Sequence, residues 1–174
     1  MYGDKMMEDQ IAVNGQLWQI ERFLGKGKGG YSYLVTDGTG RYVVKQLHHE
    51  PCDYYQFGDK LASELDAYER LRKLGVPVPE LLEVDRQEER LRKEYIDGPT
   101  IAELAQRGEN LEPWLSQIRA LCPVLYAAGI NIDYYPTNFI PSGGVVYYVD
   151  YEYSPYSDQW NFANWGEGCW RKGK

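Results

Sequence analysis

Histidine is almost missing from this sequence of 174 residues, which holds only the adjacent pair His48 and His49. Histidine triads, histidine general bases and histidine metal sites therefore have almost no material, and the pair reads as solvated side chains at a strand end. Cysteine is as scarce. Cys52, Cys122 and Cys169 are odd in number, far apart and without a C-x-x-C spacing, which argues against a disulfide framework or a zinc site and fits a reducing cytoplasm. No apolar run approaches the ~18 residues of a membrane span, and the start MYGDKMMEDQ sets acids among its methionines, with no basic flank ahead of an apolar core. The expectation is a soluble cytoplasmic protein with no membrane partner. Basic charge is short too, with 19 Lys and Arg against 26 Asp and Glu, a net charge of -7. Such a field repels phosphodiester backbones and favours cationic partners, so no nucleic-acid partner is expected.

Aromatic residues are plentiful, with sixteen Tyr and five Trp, enough bulk to close a small core. The length suits one core, or two small lobes sharing a cleft. Trp18 to Leu24, Tyr31 to Val35 and Tyr42 to Leu47 are rich in β-branched and aromatic residues and separated by glycine-rich turns, so they read as three consecutive antiparallel strands. Leu61 to Leu74 carries Leu61, Leu65, Tyr68 and Leu71 on one stripe and stops at Gly75, Pro77 and Pro79; it reads as a helix. Leu81 to Val84 and Leu91 to Tyr95 flank a charged turn and make a second hairpin, five strands in all. Asp97-Gly98-Pro99 then breaks the pattern, which places a boundary between residues 1–96 and 97–174. Beyond it the spacing predicts helices over Ile101 to Gln106 and Trp114 to Ala128, a small hairpin around Ser142-Gly143-Gly144, and an aromatic tail.

Gly25, Gly27, Gly29 and Gly30 crowd one turn between strands, where backbone N–H groups can approach phosphate oxygens with no Cβ in the way. A dinucleotide-binding glycine motif must open a helix, yet Tyr31-Ser32-Tyr33-Leu34-Val35 reads as strand; a Walker loop is excluded because no Gly-Lys is followed by Ser or Thr. On this segment alone a flexible hairpin explains the glycines equally well. Lys45 shares a strand face with Val43 and Leu47, and Glu64 falls within the apolar stripe of the following helix. Inward charges on adjacent elements are costly unless they meet, so a Lys45–Glu64 ion pair is one solution and a lysine snorkelling to water is the other.

The richest constellation is Asn131-Ile132-Asp133-Tyr134-Tyr135-Pro136-Thr137-Asn138-Phe139 followed by Val145 to Glu152. Folding a hairpin at Ser142-Gly143-Gly144 returns Asp150 to the end where Asn138 enters, with Asp133 just upstream. Two carboxylates and an amide then converge, oxygen donors of the kind magnesium takes alongside phosphate. The plainer reading is that Asp133 and Asn138 close loop turns.

These residues resemble the protein-kinase-like superfamily. Asp133 with Asn138 looks like the kinase catalytic loop, and Asp150 like the magnesium aspartate that follows it. The glycine loop, strand lysine, helix glutamate, a hinge at Glu94-Tyr95-Ile96-Asp97-Gly98, the catalytic loop and the metal aspartate stand in the family's order over roughly residues 18 to 165. Asp150-Tyr151-Glu152 with Asn161-Phe162-Ala163-Asn164 is similar to the aminoglycoside phosphotransferase and choline kinase branch, and N-I-D-x-x-P-T-N-F with W-N-F-x-N-W-G is similar to small bacterial kinase-like proteins. The resemblance implies an α+β, protein-kinase-like bilobal fold, with a five-stranded antiparallel N-lobe bearing one helix and a truncated, mainly helical C-lobe with a small β-hairpin. It also implies ATP and Mg2+ as cofactors. Gly25, Gly27, Gly29, Gly30 and Ser32 would cover the phosphates, Lys45 would hold them, and Glu64 would hold Lys45. The backbone of Glu94 and Ile96 would bind adenine, Asp133 would orient or deprotonate a hydroxyl, and Asn138, Asp150 and Glu152 would face the metal. Glu152 also reads as a strand-end acid. The acceptor implied is a small molecule with a hydroxyl, cationic in several relatives.

Two departures matter. Asn131 stands where the family usually has His, and only 24 residues follow Asp150, too few for the substrate-binding helices of the relatives. Trp160, Phe162, Trp165 and Trp170 then either cover the core those helices would cover or form a contact patch for a protein partner or a second copy. Two function classes stay open: an active phosphotransferase, and a catalytically weak nucleotide-binding module acting through a partner. A nucleic-acid-binding β domain with Lys26 and Lys28 at its tip fares poorly against the acidic total.

Overall fold

Asn14 and Gly15 both take positive φ, 50° and 84°, the backbone that a two-residue hairpin turn of the primed kind requires and that an Asn-Gly pair supplies. The turn joins β1 (Gln10–Val13) to β2 (Gln16–Lys26). In the computed structural model, which describes residues 9–27, 29–49 and 59–172, the chain is α+β and divides into two compact units. Of the described residues, those up to 63 with 80–95 form the first, and 64–79 with those from 96 onward the second. Lys28 and Cys52 lie outside the described residues.

The first unit is an antiparallel sheet of six strands in the order β1-β2-β3-β4-β6-β5, with β3 at Gly30–Thr36, β4 at Arg41–Leu47, β5 at Leu81–Asp85 and β6 at Arg90–Glu94. The sequence reading of five strands is one short. The missed strand is β1, whose Ile11 and Val13 are buried; its signal was the Asn-Gly turn behind it, not its short and weakly patterned residues. Edge strand β1 meets the β5–β6 hairpin through side chains. The Asn14 backbone N–H donates to Asp85 Oδ2 at 2.7 Å, its Nδ2 donates to the Val84 carbonyl at 3.0 Å, and Arg90 donates to the Ala12 carbonyl at 2.7 Å. Val13, Trp18, Val35 and Val44 pack inside this curled sheet, with the Arg92 guanidinium 4.6 Å from the centre of the Trp18 ring and 4.7 Å from that of Tyr42.

The strand period of two fixes what lies on the other face. The register Ser32↔Lys45↔Leu91 and Leu34↔Val43↔Lys93 puts Leu34, Val43, Lys45, Leu91 and Lys93 together there, all of them buried.

Helix α1 (Lys60–Lys73) starts in the first unit and runs into the second. Residues 64–79 group with the second unit because Leu71 and Val76 pack into its core and Arg70 donates to the Ala128 carbonyl at 2.9 Å. In that unit α2 (Ile101–Gln106) opens with a reciprocal capping box between Thr100 and Glu103, which satisfies two otherwise orphaned N–H groups. Helix α3 (Glu112–Ala127) buries Leu115, Ile118, Cys122 and Leu125 along one face, and Pro123 lies inside it without ending it. Gly129, at φ 78°, lets the chain turn away. Two short antiparallel pairs follow, β7 (Ile130–Asn131) with β10 (Ser154–Pro155), and β8 (Phe139–Ser142) with β9 (Val145–Tyr148). The tail coils through a π-turn over Phe162–Gly166 into α4 (Glu167–Arg171). Phe162 and Trp170 are fully within the core, whereas Trp160 is 49% exposed. Phe162 and Trp170 therefore take the core-covering role, while Trp160 stands at the surface. Cys122 and Cys169 are free thiols, and no described helix is long and apolar enough to cross a membrane.

Candidate active site

In the first unit the glycine segment is a strand-turn-strand loop, with the Gly27 N–H donating to the Gly30 carbonyl at 2.8 Å and the His48 N–H to the Gly29 carbonyl at 3.0 Å. Packing imposes Gly30. A Cβ on Gly30 would stand 2.5 Å from the Gln46 carbonyl oxygen and 3.0 Å from Lys45 Cε, while at Gly25 and Gly27 nothing lies within 4 Å. Open space beside backbone N–H groups is what a phosphate needs. Ser32 pairs with Gly25 on one side and Lys45 on the other, so the loop and the lysine are neighbours. Lys45 is 9% exposed.

Glu94 ends β6 on the face of Tyr42, opposite to that of Lys45. Its N–H donates to the Glu80 carbonyl at 2.9 Å and its carboxylate accepts from the Glu80 N–H at 3.0 Å. An adenine contact from Glu94 is thereby restricted to its carbonyl. Ile96 is buried and begins the second unit's share of the following chain.

The second unit brings Asp133, Asn138, Asp150 and Glu152 together. Asp133 Oδ1 accepts the Tyr135 N–H at 3.2 Å, and Asn138 Nδ2 donates to the Asp133 carbonyl at 3.2 Å. The second bond fixes which way the amide faces and leaves Asn138 Oδ1 as an acceptor. Pairing of β8 with β9 runs from Ser142↔Val145 to Phe139↔Tyr148, and the Val149 N–H extends it by donating to the Asn138 carbonyl at 2.9 Å. Asp150 thus follows directly on the residue bonded to Asn138, as the hairpin argument expects. Its Oδ1 accepts the Tyr151 N–H at 2.8 Å.

Tyr148 links the two segments. Its hydroxyl accepts the Asp133 N–H at 3.2 Å and donates to the Glu152 carbonyl at 2.9 Å. Burial drives its phenol well above the usual tyrosine range, and the nearby charges of Asp150, Glu152 and Asp133 push the same way. Glu64 and Tyr68 lie one turn apart on α1, and the Tyr68 ring packs 4.8 Å from that of Tyr151, whose hydroxyl donates to the Pro79 carbonyl. Asn131 is buried and donates to the Ser157 carbonyl at 3.0 Å.

Sequence reasoning missed Lys93 and Tyr148, and named Trp170 without its bond to the Tyr134 carbonyl. Lys93 is 5% exposed, and its alternation with Leu91 was the available sign. Trp170 donates its indole N–H to the Tyr134 carbonyl at 2.8 Å.

Among the described residues no three His, Cys, Asp or Glu side chains form a metal-holding cluster. Magnesium does not need one, since it commonly takes one or two protein oxygens and completes its shell with phosphate and water. Asn138 and Asp150 fit that donor set. Cavities of about 340 and 690 Å³ lie elsewhere, and neither Asn138 nor Asp150 lines them. No protein-family model matches the chain, and no curated protein matches it.

Proposed function

We propose that the chain is an ATP- and magnesium-dependent phosphotransferase that moves the γ-phosphate to a hydroxyl of a small molecule. The observation that carries this reading is the convergence of Asp133, Asn138 and Asp150 on one hairpin mouth, in the order and spacing of a kinase catalytic loop and metal aspartate. Asp133, exposed and held by its turn, would accept the proton as the hydroxyl oxygen attacks phosphorus and ADP leaves. Asn138 and Asp150 would hold magnesium, which neutralises phosphate charge when bound. Lys45 would add a cation to the α- and β-phosphates, and the glycine loop would offer N–H groups. The resemblance to the aminoglycoside phosphotransferase and choline kinase branch suggests a cationic acceptor, which the acidic total would attract.

Thermal unfolding with and without Mg-ATP tests the reading, in the wild type and in Asp150→Ala. Nucleotide at ~100 times its dissociation constant stabilises by about 2.7 kcal/mol. The expected shift depends on magnesium and vanishes in the variant; its absence from the wild type at millimolar nucleotide defeats the proposal. ATP consumption across a panel of hydroxyl compounds then identifies the acceptor.

A second reading, a nucleotide-binding module that acts through a partner, is favoured by the exposed aromatic group near Asp133. Tyr135 is 37% and Trp160 49% exposed, with Trp165 stacked 6.3 Å from Tyr135 and edge-on 5.4 Å from Trp160. A magnesium-dependent shift without turnover of any hydroxyl compound would select it.

A further inference from the structure

A buried phenol is costly unless its hydroxyl is bonded at both its donor and its acceptor side. Strand β9 reads Val145-Val146-Tyr147-Tyr148, and its alternation buries Val146 and Tyr148 at 1% exposure each. Packing alone asks only for a ring at the second of these positions. The Tyr148 ring lies against Phe139, 5.2 Å between centres, and its backbone N–H donates to the Pro77 carbonyl at 2.9 Å. A phenylalanine would serve that purpose. The hydroxyl instead spans two segments, taking the N–H of Asp133 and giving its own hydrogen to the carbonyl of Glu152. The Asp133 carbonyl is taken by Asn138. Both backbone polar groups of Asp133 are thus clasped, one by the amide and one by the phenol.

We propose that Tyr148 is a positioning residue whose hydroxyl ties the Asp133 turn to the Asp150-Tyr151-Glu152 segment and so sets the acceptor-side carboxylate against the metal-side one. The proposal rests on the phosphotransferase reading above. The Asn138 clasp reaches as far as Val149 through its carbonyl, and the phenol's reaches past Asp150 to the Glu152 carbonyl. Without it the two segments keep their hairpin but lose their common reference point. Misplacement of a catalytic group by about 1 Å can cost on the order of a hundredfold in rate.

The test compares Tyr148→Phe with Val146→Ala, a change on the same buried face of β9 that leaves the Tyr148 hydroxyl in place. Melting and circular dichroism report folding, ATP consumption reports kcat and KM, and NMR reports exchange of the Asp133 backbone amide. In Tyr148→Phe, kcat should fall about ten- to a hundredfold with the KM for ATP unchanged, and the Asp133 amide should exchange faster. Val146→Ala should lower the melting temperature and leave kcat alone. If the wild type binds Mg-ATP without consuming it, the readout becomes the magnesium dependence of nucleotide affinity, which should weaken in Tyr148→Phe.

Wild-type kcat or wild-type magnesium dependence in a folded Tyr148→Phe overturns the positioning role and leaves the phosphotransferase reading standing. An equal loss of kcat in Val146→Ala overturns it too, since general loosening would then be the cause. A Tyr148→Phe chain that fails to fold assigns the hydroxyl to folding instead. A wild type that neither binds nor consumes Mg-ATP removes the underlying reading, and this one with it.

Discussion

The indole N–H of Trp170 bonds the carbonyl oxygen of Tyr134, the residue directly after Asp133. Trp170 is fully buried, in edge contact with Phe162 and tilted against Phe139, and the chain at Gly166 passes so close to Tyr134 that a Cβ there would sit 2.6 Å from it. The tail thus supports the candidate catalytic turn from behind. Trp170→Ala should cost about 3–5 kcal/mol, read by calorimetry as a fall in melting temperature of roughly ten degrees for a chain of this size. Trp170→Phe should cost less, because it keeps part of the ring volume.

The glycine loop offers a contrast that separates packing from binding. Gly30→Ala must move Gln46 or Lys45 and should destabilise by about 1–3 kcal/mol. Gly25→Ala and Gly27→Ala meet open space and should leave the melting temperature nearly unchanged. Under the proposed function they raise the KM for ATP instead, so melting and kinetics together distinguish the two kinds of glycine.

Asp133→Asn keeps the turn's acceptor for the Tyr135 N–H but has no carboxylate to take a proton. The kcat should drop by about a hundredfold or more, while the magnesium-dependent thermal shift with ATP persists. Equal kcat in the two proteins would remove Asp133 from the chemistry.

Asp85 contributes to the acid side of stability in the first unit. Its carboxylate accepts N–H groups from Asn14 and Glu88, and these bonds, with Arg90 near, hold it below the usual value of 3.8. A carboxyl whose folded pKa is depressed adds stability above its unfolded pKa, and that contribution is lost as pH falls from there through the folded value. The wild type should lose melting temperature below about pH 4. Asp85→Asn should start lower at neutral pH and show a shallower acid slope, measured by melting across the range.

How much of this was legible follows from where the signal lay. The β2–β3–β4 meander, α1 and the β8–β9 hairpin announce themselves through alternation, stripe and glycine turns, and their residues are found where those patterns put them. The convergence of Asp133, Asn138 and Asp150 was legible because a tight hairpin fixes its own ends. Strand β1 was missed although Asn14-Gly15 marks it, since four residues carry little pattern. The Tyr148 and Trp170 bonds were illegible for another reason: a hydroxyl or indole N–H finds its partner 15 or 36 residues away through packing, which no local period encodes.

The closure of the first unit's sheet has a last consequence. Strand β1 is joined to β5 by the amide of Asn14 and the carboxylate of Asp85 and to β6 by the guanidinium of Arg90, not by a ladder of backbone bonds. Side-chain stitches can be undone one at a time. Breathing of this half should start along that join, with the amides of residues 10–13 trading hydrogen for deuterium well before those of β3 and β4, and the order of exchange would map the unit's unzipping from rim to centre.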